Sequence, residues 1–199
     1  MSHYPRHLIT LCTLALISAT LHAQRTLFEE GTLSEDKPAT SRNVFQIVRD
    51  NIVDTWNHPD TYDLYVPTYA WHNRLMYDQE HIDRYNEWAL GLGIGVTRFD
   101  KDGDMHQLSF MVFKDSNYYY QTGFGYSFIK TFYSENKHFN AGYGYALLFV
   151  QRHEYNYIPV PLILPVGNLG YRNVNLQAVY IPGYRNSGNV LFAWFRVGF

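Results

Sequence analysis

Three residues of this chain carry side chains suited to proton transfer and nucleophilic chemistry: His72, Asp115 and Ser116. An imidazole titrates near neutrality and can accept a proton at physiological pH. A hydroxyl and a carboxylate beside it would complete a set used in general-base or nucleophilic catalysis. Asp115 and Ser116 follow His72 by 43 and 44 positions, so only the fold can bring them together. Taken singly, such residues are more often ordinary surface groups. The other histidines of the mature chain (His58, His81, His106, His138 and His153) show no metal-ligand spacing, and neither a metal nor a cofactor is expected.

The elements that must position these residues are clearest at the C-terminus. In Asn189 to Phe199, Leu191, Ala193, Phe195, Val197 and Phe199 recur at period two, the signature of a strand with one apolar face. Phe192, Trp194, Arg196 and Gly198 face the other way and mix ring, charge and glycine. An apolar outer face over a mixed inner face suits a wall between lipid and lumen. An amphipathic strand of a soluble sandwich is the alternative for this segment alone. The N-terminus favours export. Residues 1–23 place Arg6 and His7 before an apolar run from Leu8 to Leu21 and end on Ala23, a signal-peptide pattern too short to span as a helix. Cys12, the sole cysteine, lies inside that segment, so the mature protein has no disulfide to rely on.

Composition agrees with a membrane barrel. Mean hydropathy is −0.30, and no stretch after residue 23 is apolar and long enough to span as a helix. Yet 46% of residues are apolar, and aromatics reach 18%, with 18 Tyr and 13 Phe. Strands that alternate lipid-facing with small or polar residues produce this combination. The net charge of −2 carries no nucleic-acid footprint.

Residues 24–42 are polar and aperiodic, and read as a disordered extension. Over 43–58, Phe45, Val48, Ile52 and Trp56 recur at helical spacing behind an N-cap at Ser41, predicting an amphipathic interfacial helix that stops before Pro59. Residues 59–199 then hold eight strand-like segments. The clearest is Trp88 to Phe99, where Trp88, Leu90, Leu92, Ile94 and Val96 alternate with Ala89, Gly91, Gly93, Gly95 and Thr97. Asp100-Lys101-Asp102-Gly103 has some look of a calcium loop, but its glycine is misplaced and Met111 stands where the closing Glu belongs, so it reads as a tight turn. The proline-rich stretch Tyr157 to Val166 is awkward for a sheet, because proline cannot donate to the ladder.

The fold expected is all-β, an eight-stranded antiparallel transmembrane barrel with an N-terminal amphipathic helix. Up-and-down tracing places His72, after the first strand, and Asp115-Ser116, after the third, on one external rim. A barrel this small has no open aqueous channel. Its glycine-rich inner walls leave either a narrow apolar slot for one extended chain or a solidly packed structural barrel, and periodicity does not separate the two.

At this point the motifs matter. DTW…YDLYVP…WH (Asp54 to His72), DRYNE (Asp83 to Glu87), FKDS (Phe113 to Ser116), NYIPVPLILP (Asn156 to Pro165), YIPG (Tyr180 to Gly183) and GNVLFAWFR (Gly188 to Arg196) resemble the PagP family of lipid A palmitoyltransferases. The resemblance runs from about Phe45 to Phe199. It implies an outer-membrane monomer with an interior acyl pocket. Its donor would be a glycerophospholipid, palmitate leaving the sn-1 position, and its acceptor a hydroxyl on lipid A of lipopolysaccharide. It places the family's essential His, Asp and Ser on His72, Asp115 and Ser116, and the glycine at the pocket floor on Gly125. The loop after Ser116 is about two residues shorter than the family's, and Ala89 replaces a proline associated with a lateral opening. Pro67, Pro159 and Pro161 are the remaining candidates for such gaps. Two routes stay open at this stage, a triad through Ser116 and direct attack by the lipid A hydroxyl with His72 as base. A non-enzymatic barrel, structural or adhesive, is the competing reading.

Overall fold

The structure, a computed structural model, describes residues 43–199. The expected signal peptide (1–23), the polar extension (24–42) and the Ser41 cap lie outside the described residues. The barrel lies wholly within the compact unit Ile47–Phe199. Its strands are β1 (Thr61–His72), β2 (Gly91–Phe99), β3 (Met105–Lys114), β4 (Tyr120–Tyr133), β5 (Phe139–Gln151), β6 (Val160–Tyr171), β7 (Val174–Ile181) and β8 (Val190–Gly198). Each pairs antiparallel with the next, and β8 pairs with β1 to close the barrel. Closure removes the free sheet edges that hydrocarbon would not tolerate.

Alternation sorts the faces as period two requires. Leu92 and Ile94 of β2 are 59% and 67% exposed, and Phe110, Tyr143, Phe149, Leu169 and Phe195 are exposed around the barrel. So continuous an apolar exterior would be a liability in water and is what a lipid-facing wall needs. No helix among the described residues is long and apolar enough to cross a membrane, so any crossing is by strands.

Helix α1 (Val44–Asn57) starts at a reciprocal cap. The Phe45 N–H donates to Asn43 Oδ1 at 3.2 Å, and the Asn43 N–H donates to Gln46 Oε1 at 3.1 Å. It ends two residues before Pro59, which could not continue it. Beyond Gln46, its buried Thr55 and the bond from Arg98 Nη2 to Asn51 Oδ1 (3.1 Å) seat it on the barrel, while Trp56 is 72% exposed.

Two strands start later than their patterns suggest. Trp88 to Leu90 alternates like the start of β2, yet β2 begins at Gly91. Asn86 Oδ1 accepts from the Trp88 N–H (3.1 Å) and the Glu87 carbonyl accepts from the Ala89 N–H (3.1 Å), holding this stretch in a loop. β6 runs from Val160 to Tyr171 rather than from Tyr157 to Val166. Pro161 and Pro165 sit in the half of β6 that pairs with β5 alone, since β6 meets β7 only from Val166 to Tyr171. A proline beside an absent neighbour sacrifices no ladder bond. The β1–β2 pairing is similarly short, from Thr61 to Tyr65, and Pro67 lies beyond it. The wall therefore has two unpaired stretches, β1/β2 and β6/β7, both in the half of the barrel nearer His72.

The interior has two layers. Around Ala70, Met111, Phe113, Leu148, Val179 and Phe192, towards His72, it is apolar. Towards the chain termini it is polar. Arg196 Nη2 donates to Asp63 Oδ1 (2.6 Å) and Thr61 Oγ1 (2.7 Å), and Thr97 Oγ1 donates to the other Asp63 oxygen. Beside them Trp194 Nε1 bonds Gln177, Gln177 bonds Asn168, and Asn168 bonds Asn140, at 2.7 to 3.1 Å. Apart from the half-buried Thr61 these side chains are buried, and each makes at least one hydrogen bond, as polar groups out of water need.

Candidate active site at the barrel rim

His72 faces inward because β1 contains a bulge. Asp63, Tyr65 and Pro67 point into the barrel, all at odd positions. The register with β8 shifts between Pro67 and Tyr69, leaving Thr68 as the extra residue. After it the inward positions are even, Ala70 and His72. One inserted residue reverses every later side chain. Without it, His72 would share the outer face with Tyr62 and Leu64.

Ser116 arrives from β3 by leaving the strand. β3 ends at Lys114, so Asp115 and Ser116 escape the strict alternation that would send them to opposite sides. Asp115 Oδ1 accepts from the Asn117 N–H (2.8 Å) and the Tyr119 N–H (2.9 Å), folding the loop 115–119 around its own carboxylate. Stacking of Tyr119 on His153 (4.0 Å, 5°) and a bond from Asn117 Nδ2 to Glu154 Oε1 (2.6 Å) pin that loop to the β5–β6 connection.

Ser116 Oγ and His72 Nε2 lie 3.0 Å apart. On the other side of the ring, Nδ1 is 3.1 Å from Glu87 Oε1. A carboxylate only accepts, so Nδ1 carries the proton and Nε2 is left as the acceptor for the Ser116 hydroxyl. The ring is clamped between Tyr85, stacked at 4.9 Å, and the edge of Tyr77 at 5.1 Å. Burial pushes the Tyr77 phenol up to about 12, so it stays a donor, and it bonds the Gly188 carbonyl at 2.6 Å.

Glu87 lies in the loop that carries helix α2 (Gln79–Arg84) between β1 and β2. Five donors meet on its carboxylate. Arg74 Nη1 and Nη2 grip one oxygen each at 2.6 Å, the Tyr69 hydroxyl adds a bond at 2.6 Å, and the His72 backbone N–H and Nδ1 supply the rest. Burial alone would favour the neutral acid. The bonds from Arg74, the His72 N–H, Tyr69 and the His72 ring outweigh it and hold the carboxyl well below the usual carboxylate range.

Three residues read from the sequence thus fall at this rim, in two arrangements. His72 and Ser116 are in contact. Asp115 is buried next to them but spends Oδ1 on its loop, and Arg152 Nη2 is 3.8 Å from its Oδ2. Gly125 faces inward on β4, in the row Gly95–Ser109–Gly125–Leu148. That row adjoins Thr97–Gln107–Ser127, where the polar layer begins on this side. A cavity of about 220 Å³ lined by Thr61, Asn175 and Arg196 opens beyond the polar layer, at the opposite end from His72, and so takes no part in the rim chemistry.

Over residues 51–196 the chain matches the family model of PagP, an antimicrobial peptide resistance and lipid A acylation protein. The chain belongs to this family. Relatives named lipid A acyltransferase PagP agree across most of its length. That of Serratia proteamaculans is 41% identical over 189 residues, 94% of this chain and 95% of the relative. That of Klebsiella pneumoniae is 42% identical over 174 residues, 87% and 92%. That of Pectobacterium atrosepticum is 46% identical over 153 residues, 76% and 70%. The PagP match spans His72, Glu87, Asp115, Ser116 and Gly125 together.

Glu87, Asn86, Arg74 and the two tyrosines around His72 were not found as site residues from the sequence. Glu87 stands in the DRYNE stretch, an acidic residue in a long loop, but its bearing on His72 depends on how that loop returns.

Proposed function

We propose that this protein is an outer-membrane enzyme that moves a palmitoyl chain from the sn-1 position of a glycerophospholipid to a hydroxyl of lipid A. The His72–Ser116 pair, 3.0 Å apart at the mouth of an apolar interior, carries the reading. Family membership supports lipid A acylation, and the apolar exterior supports a place in a bilayer. After removal of a signal peptide (1–23), a monomeric barrel (59–199) would stand with His72 at the outer leaflet and the amphipathic helix at the inner interface, preceded by the polar extension 24–42.

The sn-1 acyl chain lodges in the apolar half of the barrel, reaching it from the bilayer through an unpaired stretch of wall, β1/β2 or β6/β7. The ester bond between the sn-1 oxygen and the acyl carbonyl carbon breaks, and a bond from the lipid A hydroxyl oxygen to that carbon forms. His72 Nε2 takes the acceptor's proton and returns it to the departing lysophospholipid oxygen. Ser116 orients the pair or carries the acyl group between donor and acceptor, while Asp115 shapes the loop that presents it. Mass spectrometry of the protein mixed with donor alone separates the two routes by the presence of a Ser116 ester. Expression in a Gram-negative host lacking the activity is expected to add one palmitoyl increment to lipid A, read by mass spectrometry. Unchanged lipid A, with the folded barrel in the outer membrane, would leave the structural or adhesive reading.

Gly125 is assigned to the pocket floor, where the apolar rows give way to the polar layer. Gly125→Met is expected to shift transfer towards shorter acyl chains, because a close-packed interior cannot absorb the new side chain. A Cβ there meets the Leu147 carbonyl oxygen at 2.0 Å, so β4 must yield against β5. Gly123 lies nearer the rim, and its Cβ would meet nothing closer than Phe113 Cε1 at 3.7 Å. Gly123→Met should therefore fold more readily and select chains shorter still. The measurement is transfer from phospholipids differing only in sn-1 length. An unchanged length profile in both folded variants rules out a floor at this wall.

A further inference from the structure

We infer that Glu87 is the positioning residue that makes His72 a base, and that the Asn86–Glu87 dipeptide sets the His72–Ser116 distance. This rests on His72 acting as the base in acyl transfer. Among the described residues, Glu87 and Asp115 are the acidic residues beside the pair, and of the two it is Glu87 that bonds the imidazole. Asp115 Oδ1 is occupied by the Asn117 and Tyr119 backbone N–H groups of its own loop. Glu87 Oε1 accepts from both the backbone N–H and Nδ1 of His72, at 2.9 and 3.1 Å. The first bond fixes where the residue starts, and the second fixes ring rotation and tautomer.

The preceding residue performs the same service for Ser116. The Asn86 N–H donates to the Ser116 carbonyl at 2.9 Å, and Asn86 Nδ2 donates to the Asp115 carbonyl at 3.2 Å. Base and hydroxyl are thus hung from adjacent residues of one loop, although they come from different strands. The charged or titratable groups facing the His72 ring are Glu87, Arg74, Tyr77 and Tyr85. Arg74 binds both Glu87 oxygens and the His72 carbonyl (2.8 Å), so it keeps the carboxylate ionised and in place. When Nε2 accepts a proton in the transition state, the Glu87 anion stabilises the imidazolium.

The test is Glu87→Gln, which keeps shape and removes charge, assayed with an sn-1 palmitoyl phospholipid and lipid A in detergent micelles. The expected result is a fall in kcat of about a hundredfold or more with KM unchanged. The acidic limb of the pH–rate profile should also move to lower pH, because an imidazolium facing an amide loses its proton more readily than one facing a carboxylate. Glu87→Asp, which keeps the charge but shortens the reach, should lower kcat and leave the limb in place. Heat-modifiable gel migration checks that each barrel is folded, and Glu87→Asp carries the test if the amide variant is not. A wild-type kcat and limb in Glu87→Gln, a loss confined to KM, or a fall in kcat without the limb shift would overturn the inference. If His72→Ala itself stays active, the base assignment fails instead. If His72→Ala is inactive and Glu87→Gln is normal, only the role of Glu87 fails.

Discussion

His72→Ala is expected to abolish acyl transfer to lipid A while leaving a folded barrel in the membrane. Removing the imidazole takes away the acceptor that Nε2 offers the Ser116 hydroxyl at 3.0 Å, and a general base is commonly worth about 10² to 10⁴ in rate. The barrel should survive because His72 meets Val190 through the backbone ladder, which alanine retains. What the side chain supports is local, namely Glu87 and the Tyr77 and Tyr85 rings. Lipid A mass spectrometry alongside heat-modifiable migration separates the two effects. A folded variant with near-normal transfer would remove His72 from the reaction.

Arg196→Met is expected to produce the largest loss of stability, with no direct effect on the rim. Arg196 and Asp63 are both buried, joined at 2.6 Å inside the polar layer. Taking away one partner leaves the Asp63 carboxylate uncompensated, a change that typically costs about 3–5 kcal/mol. The double variant Asp63→Asn/Arg196→Met should recover much of that, since it removes both charges and their desolvation together. Urea titrations in lipid vesicles, comparing the two singles with the double, give the coupling. Additive losses would mean that the pair is not the unit that matters.

The outer wall was readable from local pattern because a strand's alternation is a property of its own backbone. Leu191, Ala193, Phe195 and Val197 face outward and Phe192, Trp194, Arg196 and Gly198 inward, as period two demands. The helix, too, follows its spacing and stops before Pro59. Alternation failed where side chains competed for the backbone. Trp88 to Leu90 has a strand's pattern but is held as loop by Asn86 and Glu87. The polar inner layer was also unseen, because Asp63 and Thr97 lie on β1 and β2 while Gln177 and Arg196 lie on β7 and β8, strands that become neighbours only when β8 pairs with β1.

By itself the sequence determined the number of strands, the outward face of those whose alternation is unbroken, and that His72, Asp115 and Ser116 reach one end of the barrel. Topology requires no more than strand order and direction for that. Whether the three meet was decided by tertiary structure. The extra residue at Thr68 turns His72 inward, and nothing in the composition of Pro67-Thr68-Tyr69 announces it, since a bulge is registered only against the partner strand. Release of the backbone after Lys114 lets Ser116 approach Nε2, while Asp115 is taken up by its own loop. Glu87 reaches Nδ1 from 15 residues away along the chain through a loop whose course is set by contacts with β1 and with the loop 115–119. Orientation at the rim is thus a sum of long-range hydrogen bonds, which no local periodicity encodes.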